Sequence, residues 1–176
     1  SGVAYLTGKL GYEVSGCDLE AETAYANNIF TGHSPKHLDG IDLLVVSPAV
    51  YYQDKKNPEL AEAEKRGIAM TWQEFVGRYL VKDKKLICIA GTHGKSTTTA
   101  MAGKLLVDAG LDPTVLVGAR VRQWSGNARH GKGEYFVLEA DEFNNNFLNY
   151  HPDIAVINNI EFDHPDFFKS EKEVNN

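Results

Sequence analysis

The sequence predicts an α/β protein built on parallel sheets. Two observations carry this reading. Continuous apolar runs, Ile41 to Ser47 and Leu86 to Ala90, read as parallel strands buried on both faces. Segments with helical periodicity alternate with them and end at glycine stops.

The elements follow in order. Val3, Ala4, Leu6 and Leu10 keep helical spacing, and Gly11 stops that helix. Tyr12 to Asp18 reads as a strand closing on an acid, and Ile41 to Ser47 as the next strand. Asn57-Pro58 opens a helix that runs through Lys65 and stops at Gly67. Trp72 to Val81 is another helix. The charged break Lys82-Asp83-Lys84-Lys85 then places a domain boundary near Val81 to Lys84, dividing the chain into 1–81 and 82–176. Beyond it the pattern restarts: strand Leu86 to Ala90, a loop, helix Lys95 to Ala109, and Gly110 as its stop. Short strands are expected at Thr114 to Val117, Tyr135 to Leu138 and Ile154 to Ile157. Lys169 to Asn176 opens a helix that the chain does not finish, the mark expected of a truncated chain. The first residue is Ser1, so the natural N-terminus is expected upstream.

Composition narrows the function classes. The chain has 176 residues, and 24 acids against 18 Lys and Arg give a formal net charge of -6. That balance argues against broad nucleic-acid binding, which needs a basic face, but not against a local nucleotide site. No apolar stretch approaches the roughly 20 residues of a membrane span. Cys17 and Cys88, both in apolar strand-like runs, read as reduced, buried thiols. A cytoplasmic protein is expected.

The chemistry concentrates in three places. Leu86 to Thr97 reads as strand, glycine-bracketed loop, Gly-Lys-Ser-Thr, then a long helix. Gly91 and Gly94 let the backbone turn tightly and approach phosphate oxygens. The helix N-terminus adds partial positive charge. Lys95 supplies a point charge for the outer phosphates, and the Ser96 hydroxyl can coordinate Mg²⁺. Ile89 stands where the common phosphate loop has its first glycine, so this is a shortened variant that disfavours an ordinary GTPase or kinase. The second place is Glu139-Ala140-Asp141-Glu142, directly after a strand, where hard oxygen ligands suit Mg²⁺. The third is Asn158 to His164, after Ile154 to Ile157, read as a buried strand. Open α/β sheets bind ligands beyond the carboxyl ends of their strands, so all three should meet on one rim.

Other residues keep two readings. His93 either approaches the phosphates or acceptor, or steadies the loop. Asp18 either reads a ribose or base, or caps a helix. Ser47 either faces a ligand or caps a turn. Arg120, Arg122 and Arg129 either clamp an anionic substrate or are surface charge. Trp72 and Trp124 read as packing.

These motifs together resemble the Mur ligases. The resemblance rests on Gly-Thr-His-Gly-Lys-Ser-Thr-Thr-Thr at 91–99, Leu-Glu-Ala-Asp-Glu at 138–142 and Asn-Ile-Glu-Phe-Asp-His at 159–164. Gly11 to Asp18, Gly32-His33-Ser34, Val45-Val46-Ser47 and Asn57-Pro58-Glu59 extend it over nearly the whole chain. It implies a Rossmann-like UDP-substrate domain over 1–81, lacking its first strand and glycine-rich loop. A partial P-loop-type ATP-binding domain would follow over 82–176, with the C-terminal ligase domain absent. The implied activity is ATP-dependent amide formation on UDP-N-acetylmuramate through an acyl phosphate, in peptidoglycan precursor synthesis. His93 points to the branch whose acceptor is L-alanine or a recycled peptide, and the choice between them stays open. The resemblance implies that Lys95 holds the β- and γ-phosphates. Ser96 and Glu139 would bind one Mg²⁺, His164 would help bind another metal, and Asn159 would lie near the nucleotide. Gly91, Thr92, His93, Gly94 and Thr97 complete the ATP loop, and Asp18 and Ser47 are candidate contacts to the UDP substrate. Ser96 stands where Thr is usual, which preserves the hydroxyl. The 176 residues alone are expected not to turn over. The rival of another class is a nucleotide-binding module without ligase activity.

Overall fold

The computed structural model describes residues 1–19, 29–54, 56–141 and 143–161. Its contacts divide the chain into two compact units, essentially residues 1–80 and 81–176, with Gly2 grouped with the second.

The first unit is made of short elements. Helix α1 (Gly2–Lys9) starts with the Ser1 hydroxyl accepting from the Ala4 amide at 3.3 Å. It closes ahead of Gly11, whose φ of 91° favours glycine. Strands β1 (Gly16–Asp18) and β2 (Ile29–Thr31) pair in parallel. A 3₁₀ turn, Pro35–Leu38, follows. Strand β3 (Leu44–Val46) leads into the short α2 (Pro48–Gln53). In α3 (Pro58–Arg66) the Asn57 side chain accepts from the Glu59 and Leu60 amides, and Gly67 closes the helix in the left-handed region. Strand β4 (Ala69–Thr71) pairs in parallel with β3. Thr71 and Glu74 then form a reciprocal cap on α4 (Trp72–Phe75), which continues as a π-helical turn, Val76–Leu80. Leu6, Leu38, Leu60, Ala63, Phe75, Val76 and Leu80 are buried.

Three expectations are corrected here. The strand foreseen over Tyr12 to Asp18 begins only at Gly16. The run Ile41 to Ser47 contributes three paired residues, Leu44–Val46, all half-buried, because β4 is its one partner among the described residues. Cys17 is only partly buried, whereas Cys88 is buried; both are free thiols.

The second unit is a five-stranded sheet in the order β7-β6-β8-β5-β9. Its strands are β5 (Lys85–Ala90), β6 (Thr114–Val121), β7 (Gly126–Arg129), β8 (Tyr135–Glu139) and β9 (Ile154–Ile157). All neighbours run parallel except β6 and β7. Phe136, Val137 and Leu138 are buried in succession, as expected of a strand covered on both faces. Helix α5 (Lys95–Asp108) packs on this sheet. Ile89, Val115, Val117 and Val137 form the core there, and Ala102, Leu106 and Trp124 lie against them. The expectation of a buried last strand is corrected: every residue of β9 is exposed, with Ile154 at 50%. It is the outer strand of the sheet, and no described element lies beyond it.

Candidate functional site

The site is built from the carboxyl ends of three adjacent strands of the second unit. The central strand, β5, runs into the loop at 91–94 and then α5. On one side β8 ends at Glu139, and on the other β9 leads to Asn158 and Asn159. Parallel pairing puts all three exits on the same rim, as ligand sites of open α/β sheets require.

The loop fits tightly. Gly91 has φ 126°, and a Cβ there would stand 2.9 Å from the Asn159 carbonyl oxygen and 3.0 Å from its nitrogen. Glycine is therefore required twice over, by conformation and by space. The Asn159 carbonyl accepts from the Thr92 amide at 3.2 Å, and its Oδ1 accepts from the His93 amide at 2.8 Å. The Asn158 amide group donates to the His93 carbonyl and to Thr98 Oγ1, both at 3.1 Å. Thr92 and Glu161 close the far side through Thr92 Oγ1 to the Glu161 carbonyl at 3.1 Å and the Glu161 amide to Thr92 Oγ1 at 2.9 Å. The segment after β9 thus fixes the loop's shape.

Helix α5 begins without a side-chain cap: Gly94, at φ 78°, is its N-cap. The first helical hydrogen bond runs from the Thr98 amide to the Gly94 carbonyl. The amides of residues 94–97 precede it and point along the positive end of the helix dipole. Lys95 folds back, its Nζ donating to the Gly91 carbonyl at 2.7 Å and the Thr92 carbonyl at 3.3 Å. That posture centres an ammonium inside the loop.

Ser96 Oγ donates to Glu139 Oε1 at 3.0 Å, and the Gly118 amide donates to Glu139 Oε2 at 2.6 Å. The separation tests the pair as ligands. Neighbouring oxygens of an octahedral Mg²⁺ centre, each about 2.0–2.1 Å from the ion, lie about 2.8–3.0 Å apart. The hydroxyl and carboxylate already stand at that spacing, and both are hard oxygen donors.

The structure brings Gly91, Thr92, His93, Gly94, Lys95, Ser96, Glu139 and Asn159 onto this rim. Thr97 is exposed in the first turn of α5 and lines a groove of about 550 Å³. The groove also carries Ser96, Met101, Leu105, Arg120, Arg122 and Trp124. Arg129 does not belong to it. Its guanidinium donates to the Pro113 carbonyl at 2.5 Å and to Asp112 Oδ1 at 2.6 Å, a structural role in place of a substrate clamp. In the first unit, Ser47 accepts from the Ala49 amide at 3.4 Å and caps α2. Asp18 is exposed at the end of β1. His164, Asp163 and Glu142 lie outside the described residues, as does the helix expected over Lys169 to Asn176.

Sequence reasoning missed Gly118 and gave Asn158 no role. A Cβ on Gly118 would stand 2.7 Å from Glu139 Oε1, so glycine keeps room for the carboxylate. The available signal was a glycine directly after the apolar run Val115 to Val117, since a glycine within a strand marks close approach by another group.

Two family models match the chain: the Mur ligase family catalytic domain over residues 1–81 and the Mur ligase middle domain over residues 89–176. The chain belongs to the Mur ligase family. Among Mur ligases it is 41% identical over 180 residues to the UDP-N-acetylmuramate–L-alanine ligase of Desulforapulum autotrophicum, covering 99% of this chain and 39% of that protein. It is 42% identical over 176 residues to the protein of the same name from Anaeromyxobacter dehalogenans, covering 97% of this chain and 38% of the other. The chain thus spans about two fifths of the length of these curated relatives. Two solved Mur ligase structures share the fold. One is the UDP-N-acetylmuramate–alanine ligase of Thermotoga maritima, with TM-score 0.82 and 28% identity over 98% of this chain and 41% of that one. The other is the UDP-N-acetylmuramate:L-alanyl-γ-D-glutamyl-meso-diaminopimelate ligase of Neisseria meningitidis, with TM-score 0.84 and 26% identity over 98% of this chain and 60% of that one.

Proposed function

We propose that the chain is the UDP-substrate region and the start of the ATP-binding region of a ligase that joins L-alanine to UDP-N-acetylmuramate in the cytoplasm. The 3.0 Å contact between Ser96 and Glu139 beside the Lys95 loop carries this reading. It joins a hydroxyl and a carboxylate where the outer phosphates of ATP would lie. The names of the relatives, at about 41% identity, support L-alanine as acceptor.

In this reading, residues 82–176 bind ATP and residues 1–81 bind the UDP sugar, with Asp18 and Ser47 as candidate contacts. The α5 amides and Lys95 hold the β- and γ-phosphates and spread their charge. Asn158 and Asn159 keep the loop open by bonding its backbone, and Gly118 orients the Glu139 carboxylate. Ser96 and Glu139 would hold Mg²⁺, and His164 is the proposed further metal ligand. A divalent ion there would neutralise phosphate oxygens facing the substrate carboxylate during formation of the acyl phosphate. Arg120 and Arg122 line the groove beside Ser96 and would receive the anionic substrate.

Phosphate release dependent on both UDP-N-acetylmuramate and L-alanine, measured on the chain in its full-length context, tests the proposal. Glu139→Gln should lower kcat by about a hundredfold or more, the several kcal/mol that a metal-ion site supplies, while leaving UDP-substrate affinity within a fewfold. Near-normal turnover in that variant would remove Glu139 from the reaction. A second reading is favoured by the Neisseria protein, whose name gives L-alanyl-γ-D-glutamyl-meso-diaminopimelate as the partner joined to UDP-N-acetylmuramate. Release driven by the tripeptide L-alanyl-γ-D-glutamyl-meso-diaminopimelate, with none from L-alanine, would establish that reading instead.

A further inference from the structure

We infer that the first unit carries a zinc site formed by Cys17, His33 and Glu59. None of the three is among the residues given a role in the proposed ligase reaction, although Cys17 directly precedes Asp18 on β1. Cys17 is the middle residue of β1, His33 follows β2 by two residues, and Glu59 sits in the first turn of α3. One atom from each faces the others: Cys17 Sγ to Glu59 Oε2 at 3.0 Å, Cys17 Sγ to His33 Nδ1 at 3.3 Å, and His33 Nδ1 to Glu59 Oε2 at 3.3 Å.

The triangle matches one face of a coordination tetrahedron. With Zn–S near 2.3 Å and Zn–N and Zn–O near 2.0–2.2 Å, tetrahedral ligand atoms lie about 3.3–3.6 Å apart. The three donors need to open by only a few tenths of an ångström. Sulfur, nitrogen and carboxylate oxygen form a borderline-soft set that suits zinc, in contrast to the all-oxygen pair at Ser96 and Glu139.

The surroundings favour a cation at this place. Glu59 is 3% exposed, and a buried carboxylate requires a counter-charge or donors. Its other oxygen, Oε1, faces His37 Nδ1 at 3.6 Å, and that nitrogen is buried without a hydrogen-bond partner among the described residues. The His37 ring is held by stacking on Phe30, with centroids 4.5 Å apart. It offers a further nitrogen beside Glu59 for a fourth ligand position. Without metal, the Cys17 thiol donates its proton to Glu59. Binding Zn²⁺ sends that proton to solvent and leaves a thiolate–zinc bond, a non-redox exchange. The ion would tie β1, the segment after β2 and α3 together at positions 17, 33 and 59.

Co²⁺ is the direct probe, because thiolate coordination gives a sulfur-to-cobalt charge-transfer band and tetrahedral ligation gives intense d–d bands. Titrating the reduced, metal-free chain should produce both bands with one equivalent of Co²⁺, and Zn²⁺ should abolish them. Cys88→Ser should leave the bands intact and Cys17→Ser should remove the charge-transfer band, with circular dichroism confirming that each variant folds. His33→Gln and Glu59→Gln should each weaken Zn²⁺ affinity by about tenfold or more. These two variants also decide the matter if Cys17→Ser fails to fold: unchanged Zn²⁺ affinity in both would overturn the site. So would the absence of a thiolate band in the unsubstituted chain, or its survival in folded Cys17→Ser. The triad would then be a hydrogen-bonded cluster only.

Discussion

Tyr150 is 5% exposed, and its hydroxyl has no hydrogen-bond partner among the described residues. Burial above all, then Cys88 and Asp141, pushes that phenol above its usual range, so it stays neutral. An orphaned buried hydroxyl costs about 1–3 kcal/mol, and removing it while keeping the ring recovers part of that. Tyr150→Phe should therefore raise the unfolding free energy by about 1 kcal/mol in urea denaturation. A loss of that size would show that the hydroxyl has a partner. Cys88 makes a pH-dependent contribution, because burial pushes its thiol from 9.0 up to about 12. The unfolded chain loses this proton first as pH rises. The stability it contributes is complete below pH 9 and is lost as pH climbs toward 12. Unfolding midpoints measured across that window should fall less in Cys88→Ala than in the unsubstituted chain. The candidate site was legible at this scale where one residue's chemistry is tied to a local pattern. Lys95 and Ser96 follow a glycine loop, and Glu139 ends an apolar strand. Gly118 and Asn158 were not legible as site residues, because their roles arise from a carboxylate and a carbonyl contributed by other segments.

Helix α5 meets the sheet at Gly103, where a Cβ would stand 2.8 Å from Val115 Cγ2 and 3.1 Å from the Trp124 ring. Two effects compete on substitution. Alanine gains about 1 kcal/mol of helix propensity over glycine, while overpacking a core costs about 1–3 kcal/mol. Gly103→Val keeps little of the gain and adds two further methyl groups, so the clash wins. We expect a loss of about 2 kcal/mol or more in urea denaturation, with Gly103→Ala much closer to neutral. A stable valine variant would mean that α5 can lift from β6. The same comparison of local and distant causes explains which elements the sequence announced. Helix α3 carries its own cap and stop, Asn57-Pro58 and Gly67, and α5 follows a strand and a glycine turn. Strand β8 is apolar from Tyr135 to Leu138. In contrast, β7 reads Gly-Asn-Ala-Arg and becomes a strand only because β6 offers an antiparallel partner. Residues 12–15 have strand-like composition and no ladder, since β2 pairs only with Gly16 to Asp18. Strand β9 looked buried from its composition, yet burial depends on what packs over it.

The sheet of the second unit has two chemically different ends. At the amino end of its parallel strands, polar groups are spent on structure. Lys84 Nζ donates to the Gly133 carbonyl at 2.5 Å, Asp153 accepts from the Leu86 amide at 2.7 Å, and Asp112 holds Arg129 and the Lys132 amide. Gly131 and Gly133 press so closely on the backbone of 111–113 that a Cβ at either would overlap carbonyl oxygens. At the carboxyl end the polar groups converge on the loop, the α5 amides and the Ser96–Glu139 pair. Under the proposed function, this asymmetry would let a molecule of net charge -6 hold a polyphosphate, because the attraction is local while the excess of acids is spread over the chain. It also yields a prediction for hydrogen exchange. ATP with Mg²⁺ should slow exchange at 91–97, at 118, at 139–140 and at 158–160. The turns at 84–86, 111–113 and 131–134 should not change. Lys95→Ala should abolish the footprint while leaving the basal exchange pattern intact, which separates lost binding from lost folding. Protection at the amino-end turns, or none at 91–97 under saturating nucleotide, would place ATP elsewhere and leave the loop as a structural turn.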